Sequence, residues 1–298
     1  MASRRELLAG LVGALAWCGS PARALPEPPV AGVRRRYLDG RFGQLHLRVA
    51  QPGRAAAGVP PLVLLHQSPL SGRMFDRLLP ALAEDRLVVA VDTPGYGESD
   101  RPAARPSLAA YGDAILDALV AAYGPRVDLF GYHTGAAIAV DLAARRPAQV
   151  RRPVLVAVPF FEAARRAELM RQFAEKKAYA DDGSHLPPLW TGSFRARAPG
   201  QSLDDVARLV AEKQRAGLYG EWALAAAMET DLGPALASIR QPALVLAPHD
   251  GLEDESRAAA KLMPDARLVE LPGHAYGLFD AAPAEIARLA LGFLRTRT

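Results

Sequence analysis

Val127-Asp128-Leu129-Phe130-Gly131-Tyr132-His133-Thr134-Gly135-Ala136-Ala137-Ile138-Ala139-Val140 is the stretch that decides how this chain folds. An apolar, strand-like run ends at Gly131, and four residues later Gly135 opens an alanine-rich helical run. The pattern predicts a strand, a sharp turn and a helix, with small residues letting strand and helix approach closely around a strained backbone. A turn of this kind pushes its central side chain, here His133, out over the end of the sheet.

Outward from that turn, apolar runs alternate with helical ones. Upstream, Arg34 to Leu38 and Gln44 to Val49 alternate around Asp39-Gly40 and read as a hairpin. Pro61 to His66 and Leu87 to Val91 read as strands covered on both faces. A helix carrying Met74, Leu78, Leu79 and Leu82 lies between them, and another runs from Ala109 to Tyr123. Downstream, Pro153 to Val158, Pro242 to Ala247 and Ala266 to Leu271 are further strands, and an amphipathic helix from Pro283 to Arg295 closes the chain. This alternation predicts an α/β fold with a mostly parallel central sheet and helices on both faces. Functional groups then gather beyond the carboxyl ends of the strands, where His66, His133, Asp250 and His274 all fall. Between about 161 and 240 the alternation stops and the composition turns helical, which predicts a helical cap inserted before the late strands.

The 298 residues, half of them hydrophobic, suit one large domain with an insertion. Residues 1–24 read as a twin-arginine-like signal peptide: Arg4-Arg5, an apolar run from Leu7 to Cys18, then Ala22-Arg23-Ala24 as a cleavage signal. Twelve apolar residues are too few to span a bilayer. The expected mature domain is 25–298, periplasmic or secreted, with no stable membrane anchor after cleavage. Loss of the leader lowers the net charge from +4 to +2, and the arginine pairs Arg145-Arg146, Arg151-Arg152 and Arg165-Arg166 read as solvated helix ends, so no nucleic-acid partner is expected. The single cysteine, Cys18, lies in the leader, which excludes a disulfide, a thiol nucleophile or a cysteine metal site from the mature chain. No dinucleotide fingerprint or phosphate loop occurs, and no cofactor is expected.

Taken together, the motifs resemble those of the α/β-hydrolase superfamily, in the capped branch that includes epoxide hydrolases, haloalkane dehalogenases and carbon–carbon bond hydrolases. His66-Gln67-Ser68-Pro69 resembles the H-G-x-P oxyanion loop, and Asp92 to Ser99 the D-x-P-G-x-G-x-S loop. Gly131 to Gly135 resembles the G-x-S-x-G nucleophile elbow, and Asp250 and His274 follow in the family's order of acid and histidine. The resemblance implies catalysis by His133, Asp250 and His274, an oxyanion hole from the backbone N–H groups of Ser68 and Thr134, and support from His66 and Gln67 behind them. It also suggests a cis Ser68–Pro69 peptide. Two residues depart from the family pattern: Gln67 replaces a glycine, and His133 replaces the Ser, Asp or Cys nucleophile.

Four readings of His133 stand open. It is a nucleophile in its own right, a general base paired with His274, a metal ligand together with His274 and Asp250, or the mark of a pocket kept only for binding. Glu162 is an alternative acid, and Asp250 has a bland alternative as the cap of the helix that follows it. His249 reads as a loop residue, His46 and His185 carry no signal, and Trp190 and Trp222 read as core. The expected function is hydrolysis of a small ester, lactone or related bond. The alternatives are cofactor-free lyase or isomerase chemistry with His133 as base, and non-catalytic binding of a small ligand.

Overall fold

A computed structural model describes residues 32–53, 58–173 and 179–296, without the side chains of 172 and 173. The signal peptide expected at 1–24 lies outside the described residues.

Eight strands among the described residues form one sheet: β1 (Val33–Gly40), β2 (Gly43–Ala50), β3 (Leu62–Leu65), β4 (Val88–Val91), β5 (Val127–Tyr132), β6 (Val150–Val156), β7 (Ala243–Pro248) and β8 (Ala266–Leu271). Their order is β1-β2-β4-β3-β5-β6-β7-β8. The β1–β2 hairpin and the β2–β4 pair are antiparallel, and the other pairs are parallel. The hairpin closes with Gly40 opposite Gly43, so Arg41 and Phe42 make the turn, directly after the Asp39-Gly40 signal in the sequence.

Side chains alternate across the sheet, so each strand feeds two cores. Val63, Leu65 and Leu129 pack on one side, against α2 (Leu108–Tyr123) and α3 (Thr134–Arg145). Leu62, Leu64, Phe130 and Tyr132 pack on the other, against α1 (Leu78–Leu82) and α11 (Pro283–Leu294). The single helix expected around Met74 to Leu82 is two pieces, a 3-10 turn (Gly72–Phe75) and α1. Pro80 explains the break: its ring would clash with the carbonyl of Asp76 if one helix ran through both.

Between β6 and β7 the described residues form α4 (Ala163–Phe173), α5 (Leu186–Arg195), α6 (Leu203–Ala216), a 3-10 turn (Gly217–Tyr219), α7 (Trp222–Glu229) and α8 (Gly233–Ser238). α9 (Glu253–Leu262) and α10 (Leu278–Ala281) complete the set.

The arginine pairs do not behave alike. Arg145 and Arg146 sit at the end of α3 and pair with Asp113, Asp117 and Asp141, as a solvated helix end should. Arg152 instead lies within β6 and is 3% exposed. Its guanidinium donates to the carbonyl oxygens of Phe293 and Leu294, each at 3.1 Å, and of Thr296 at 2.7 Å. Carbonyls at the end of a helix run short of helical donors, although the Phe293 carbonyl here also accepts from the Thr296 N–H at 3.2 Å, and a cation there meets the negative end of the helix dipole.

Candidate active site

β5 carries Tyr132 and His133 to the end of the sheet, where the chain turns abruptly into α3. His133 has φ 50° and ψ −116°, a conformation that strains a residue bearing a Cβ. Its neighbours hold it there. The His133 N–H donates to the Val156 carbonyl at 3.1 Å, and the N–H groups of Ala136 and Ala137 donate to the His133 carbonyl at 2.8 and 3.1 Å. The two flanking glycines serve close approach. A Cβ on Gly131 would lie 2.7 Å from Ala136 Cα and N, and one on Gly135 would collide with the Leu65 carbonyl. The strain is thus concentrated on the residue whose side chain the turn presents.

That side chain meets Asp250. His133 Nε2 lies 2.8 Å from Asp250 Oδ2, and the Tyr132 hydroxyl donates to the same oxygen at 3.0 Å. The Asp250 side chain is fully buried and that of His133 is 16% exposed. Asp250 Oδ1 is buried without a hydrogen-bond partner among the described residues, so His133 and Tyr132 are the groups that face its charge. Burial and the adjacent Asp250 charge hold the Tyr132 hydroxyl far above the usual phenol range, so it remains a donor. An ionised carboxylate only accepts, which places the imidazole proton on Nε2 and leaves the Nδ1 lone pair of His133 as the basic site.

Asp250 therefore orients His133, where the sequence pattern pointed to His274. His274 Nε2 lies 3.0 Å from Oε2 of the exposed Glu285. The physical reason is length. A serine at the elbow leaves a gap that a separate histidine fills, whereas an imidazole at 133 spans to the acid by itself. His274 still belongs to the neighbouring loop: its carbonyl accepts from the His249 N–H at 2.7 Å, joining the ends of β7 and β8. The Tyr276 ring, two residues on, lies 5.6 Å from the His133 ring. Because His133 and Asp250 meet without His274, the three do not gather as a ligand set. Among the described residues no cluster of three or more His, Cys, Asp or Glu side chains is placed to hold a metal ion.

Asp250 does not cap α9, whose N-cap is Leu252 with no side-chain bond. Glu162, the alternative acid, is exposed.

The His66-Gln67-Ser68-Pro69 loop approaches the elbow from β3. The Ser68 N–H lies 3.5 Å from Thr134 Oγ1, and the Thr134 N–H is a first-turn donor of α3 with no helical acceptor. Ser68–Pro69 is cis. Behind this loop His66 is buried. The Thr93 N–H donates to its Nε2 at 2.9 Å, so the proton sits on Nδ1 and is donated to the Gln67 carbonyl at 3.0 Å. Burial lowers the His66 pKa and keeps the ring neutral. His46, unremarkable in the sequence, is also buried, with Nδ1 2.8 Å from Asp92 Oδ2. Asp92 in turn accepts from the N–H groups of Gly72 at 2.7 Å and Glu98 at 2.9 Å, which folds the D-x-P-G-x-G-x-S loop onto the strand ends.

The same loop reaches the inserted helices. The Tyr96 hydroxyl donates to the Gly220 carbonyl at 3.0 Å and accepts from the Ala223 N–H at 2.9 Å, and burial pushes its pKa up to about 12. The Ser71 hydroxyl donates to Glu212 of α6, and Arg215 pairs with Glu98 at 2.8 Å. Trp222 is half-buried against Tyr219, while Trp190, expected in the core, is 40% exposed.

Tyr132 and Tyr276 are the site residues that sequence reasoning passed over. Tyr132 left one signal: a tyrosine ending a fully buried strand must find a partner for its hydroxyl. Tyr276 left none.

A family model described as the alpha/beta hydrolase family matches residues 62–289. A pimeloyl-[acyl-carrier protein] methyl ester esterase of Aromatoleum aromaticum is 31% identical over 254 residues, covering 77% of this chain and 96% of that protein. A hydrolase from Pseudomonas aeruginosa superposes with a TM-score of 0.72 at 27% identity, over 88% of this chain and 99% of its own. The enol-lactonase from Burkholderia xenovorans shares the fold, with a TM-score of 0.64 at 19% identity over 88% of this chain and all of its own.

Proposed function

From the premise that this chain belongs to the alpha/beta hydrolase family and is a hydrolase, we propose that it cleaves a small carboxylic ester or lactone with His133 as general base. The observation that carries this reading is the 2.8 Å contact between His133 Nε2 and Asp250 Oδ2 at the elbow. The substrate carbonyl would rest on the N–H groups of Ser68 and Thr134. His133 Nδ1 takes a proton from water as the water oxygen bonds to the carbonyl carbon. Asp250 stabilises the imidazolium, and the oxyanion draws on the two N–H groups. Collapse breaks the carbon–oxygen bond, and the imidazolium returns its proton to the leaving alkoxide. This assigns base and acid to one residue, so His274 contributes by shaping the adjoining loop.

The test is turnover of a panel of chromogenic esters and lactones by the protein and by His133→Ala, His133→Ser and Asp250→Asn, each with a chelator control. Loss of a hundredfold or more in His133→Ala, with indifference to chelator, supports the reading. Full activity in His133→Ala sinks it. Oxygen from labelled water must appear in the acid product; its absence would turn the assignment toward lyase or isomerase chemistry with the same base.

We also propose that the chain is exported, on the strength of Arg4-Arg5, the apolar run and Ala22-Arg23-Ala24. Replacing Arg4-Arg5 with a lysine pair should retain the precursor inside the cell.

A further inference from the structure

The strand ends opposite the elbow enclose a pocket of about 620 Å³. Its walls include Asp85 and Arg86 before β4, Arg126 before β5, Arg151 and Arg152 at the start of β6, and Arg295 at the end of α11. Arg126 precedes β5 and His133 follows it, so six strand residues, roughly 20 Å of extended chain, separate this pocket from the candidate active site.

Five guanidinium groups crowded into one pocket repel one another unless counter-charges face them. The protein supplies some. Buried Asp128 accepts from Arg86 Nη1 at 3.0 Å and from Arg151 Nε at 2.8 Å. Asp85 accepts from Arg86 Nε at 3.0 Å and from Arg295 Nε at 2.8 Å, and Glu84 accepts from Arg295 Nη2 at 2.8 Å. These pairs tie strand ends to α11 and need no ligand. They still set three carboxylates against five guanidinium groups, and neither Arg126 nor Arg152 has a carboxylate within ion-pair distance among the described residues. The exposed Asp265 acts on Arg152 only from beyond that distance.

Arg152 is the group that points to a ligand. Carbonyls of Phe293, Leu294 and Thr296 hold its Nη1, and its guanidinium lies 5.6 Å from the centre of the Phe293 ring. Nε and Nη2, the two donors of its other edge, have no protein partner among the described residues, although the side chain is almost wholly withdrawn from water. Burial and the neighbouring Arg151 charge lower its pKa, yet a guanidinium stays charged at neutral pH. A fixed guanidinium with a free two-donor edge in a concave wall suits an oxyanion, which that edge binds through two parallel hydrogen bonds. The excess of two positive charges matches a phosphate dianion more closely than a single carboxylate. The volume is that of a small-molecule site and leaves room for the group that carries the phosphate.

We infer that this pocket binds the phosphate group of a small phosphorylated molecule, with Arg152 as its fixed donor and Arg126 contributing from the rim. The inference does not depend on which bond the candidate active site cleaves.

Isothermal titration calorimetry of the full chain with glycerol 3-phosphate tests it, with inorganic phosphate and glycerate as comparisons. One saturable site is expected, with glycerate weaker by about tenfold or more. Inorganic phosphate carries the recognised group alone. If it binds more weakly than the ester, the pocket also reads the organic part; if it binds equally, the group suffices; both results support the inference. Arg152→Gln should weaken phosphate binding by about thirtyfold, and Arg126→Gln, at an exposed position that leaves the fold intact, by about fivefold. His133→Ala should bind as the parent does. Far-UV circular dichroism checks that each variant is folded. Absence of saturable heat up to about 10 mM glycerol 3-phosphate overturns the inference. So does glycerate binding as tightly as the phosphate ester, an unchanged affinity in Arg126→Gln, or a loss of binding in His133→Ala, which would move the phosphate to the elbow.

Discussion

His133, Asp250 and Tyr132 make a unit in which one carboxylate oxygen serves two donors. The tyrosine draws electron density from Asp250 Oδ2 and so moderates the pull of that oxygen on the imidazole. Tyr132→Phe removes this donor from a buried charge, an effect on the order of 1 kcal/mol. kcat/KM should then fall by about fivefold, since about 1.4 kcal/mol corresponds to tenfold. An unchanged kcat/KM would show that the hydroxyl does no more than fill space. His133 and Asp250 were legible in the chain as candidates, and the elbow pattern put His133 at the turn, whereas Tyr132 was passed over. The pairing was not legible, because the family pattern gives Asp250 to a distant histidine, and only side-chain reach decides which imidazole arrives.

At the scale of elements, the elbow depends on a backbone approach that no side chain can share. Gly135→Ala places a methyl group into the Leu65 carbonyl and should destabilise the protein by about 2–3 kcal/mol. Gly292→Ala is the contrasting case: the residue lies within α11, and a Cβ there meets nothing within 4 Å. It should stabilise by roughly 0.5–1 kcal/mol, because alanine favours helix and restricts the unfolded chain. Denaturant midpoints compared with the parent check both, and a neutral Gly135→Ala would contradict the packing of β3, β5 and α3. The strands were readable because burial on both faces leaves continuous apolar runs. Arg152 was not, since one sequence supports both a solvated arginine and one that caps a helix 140 residues away.

For the whole molecule, acid sensitivity follows from His66. Its folded pKa is lowered by burial, so below the unfolded value of about 6.5 the unfolded chain binds a proton that the native state refuses. Stability should be flat above that pH and fall as pH drops below it, until the folded pKa is reached. Urea titrations at pH 7.5, 6.5 and 5.5 measure this, and His66→Gln should flatten the slope while lowering stability throughout. An unchanged slope in the variant would assign the acid loss to another group. The sequence by itself determined the class of fold, the order of its motifs and the residue presented at the turn, because strand and helix periodicity and the need for glycine at close contacts are local properties. Only the tertiary structure decided that Asp250 meets His133, that His274 faces Glu285 and that Arg152 closes α11. Each of these depends on which side chains the sheet order and the inserted helices bring within a few ångströms of one another, and that distance is written in no single stretch of the chain.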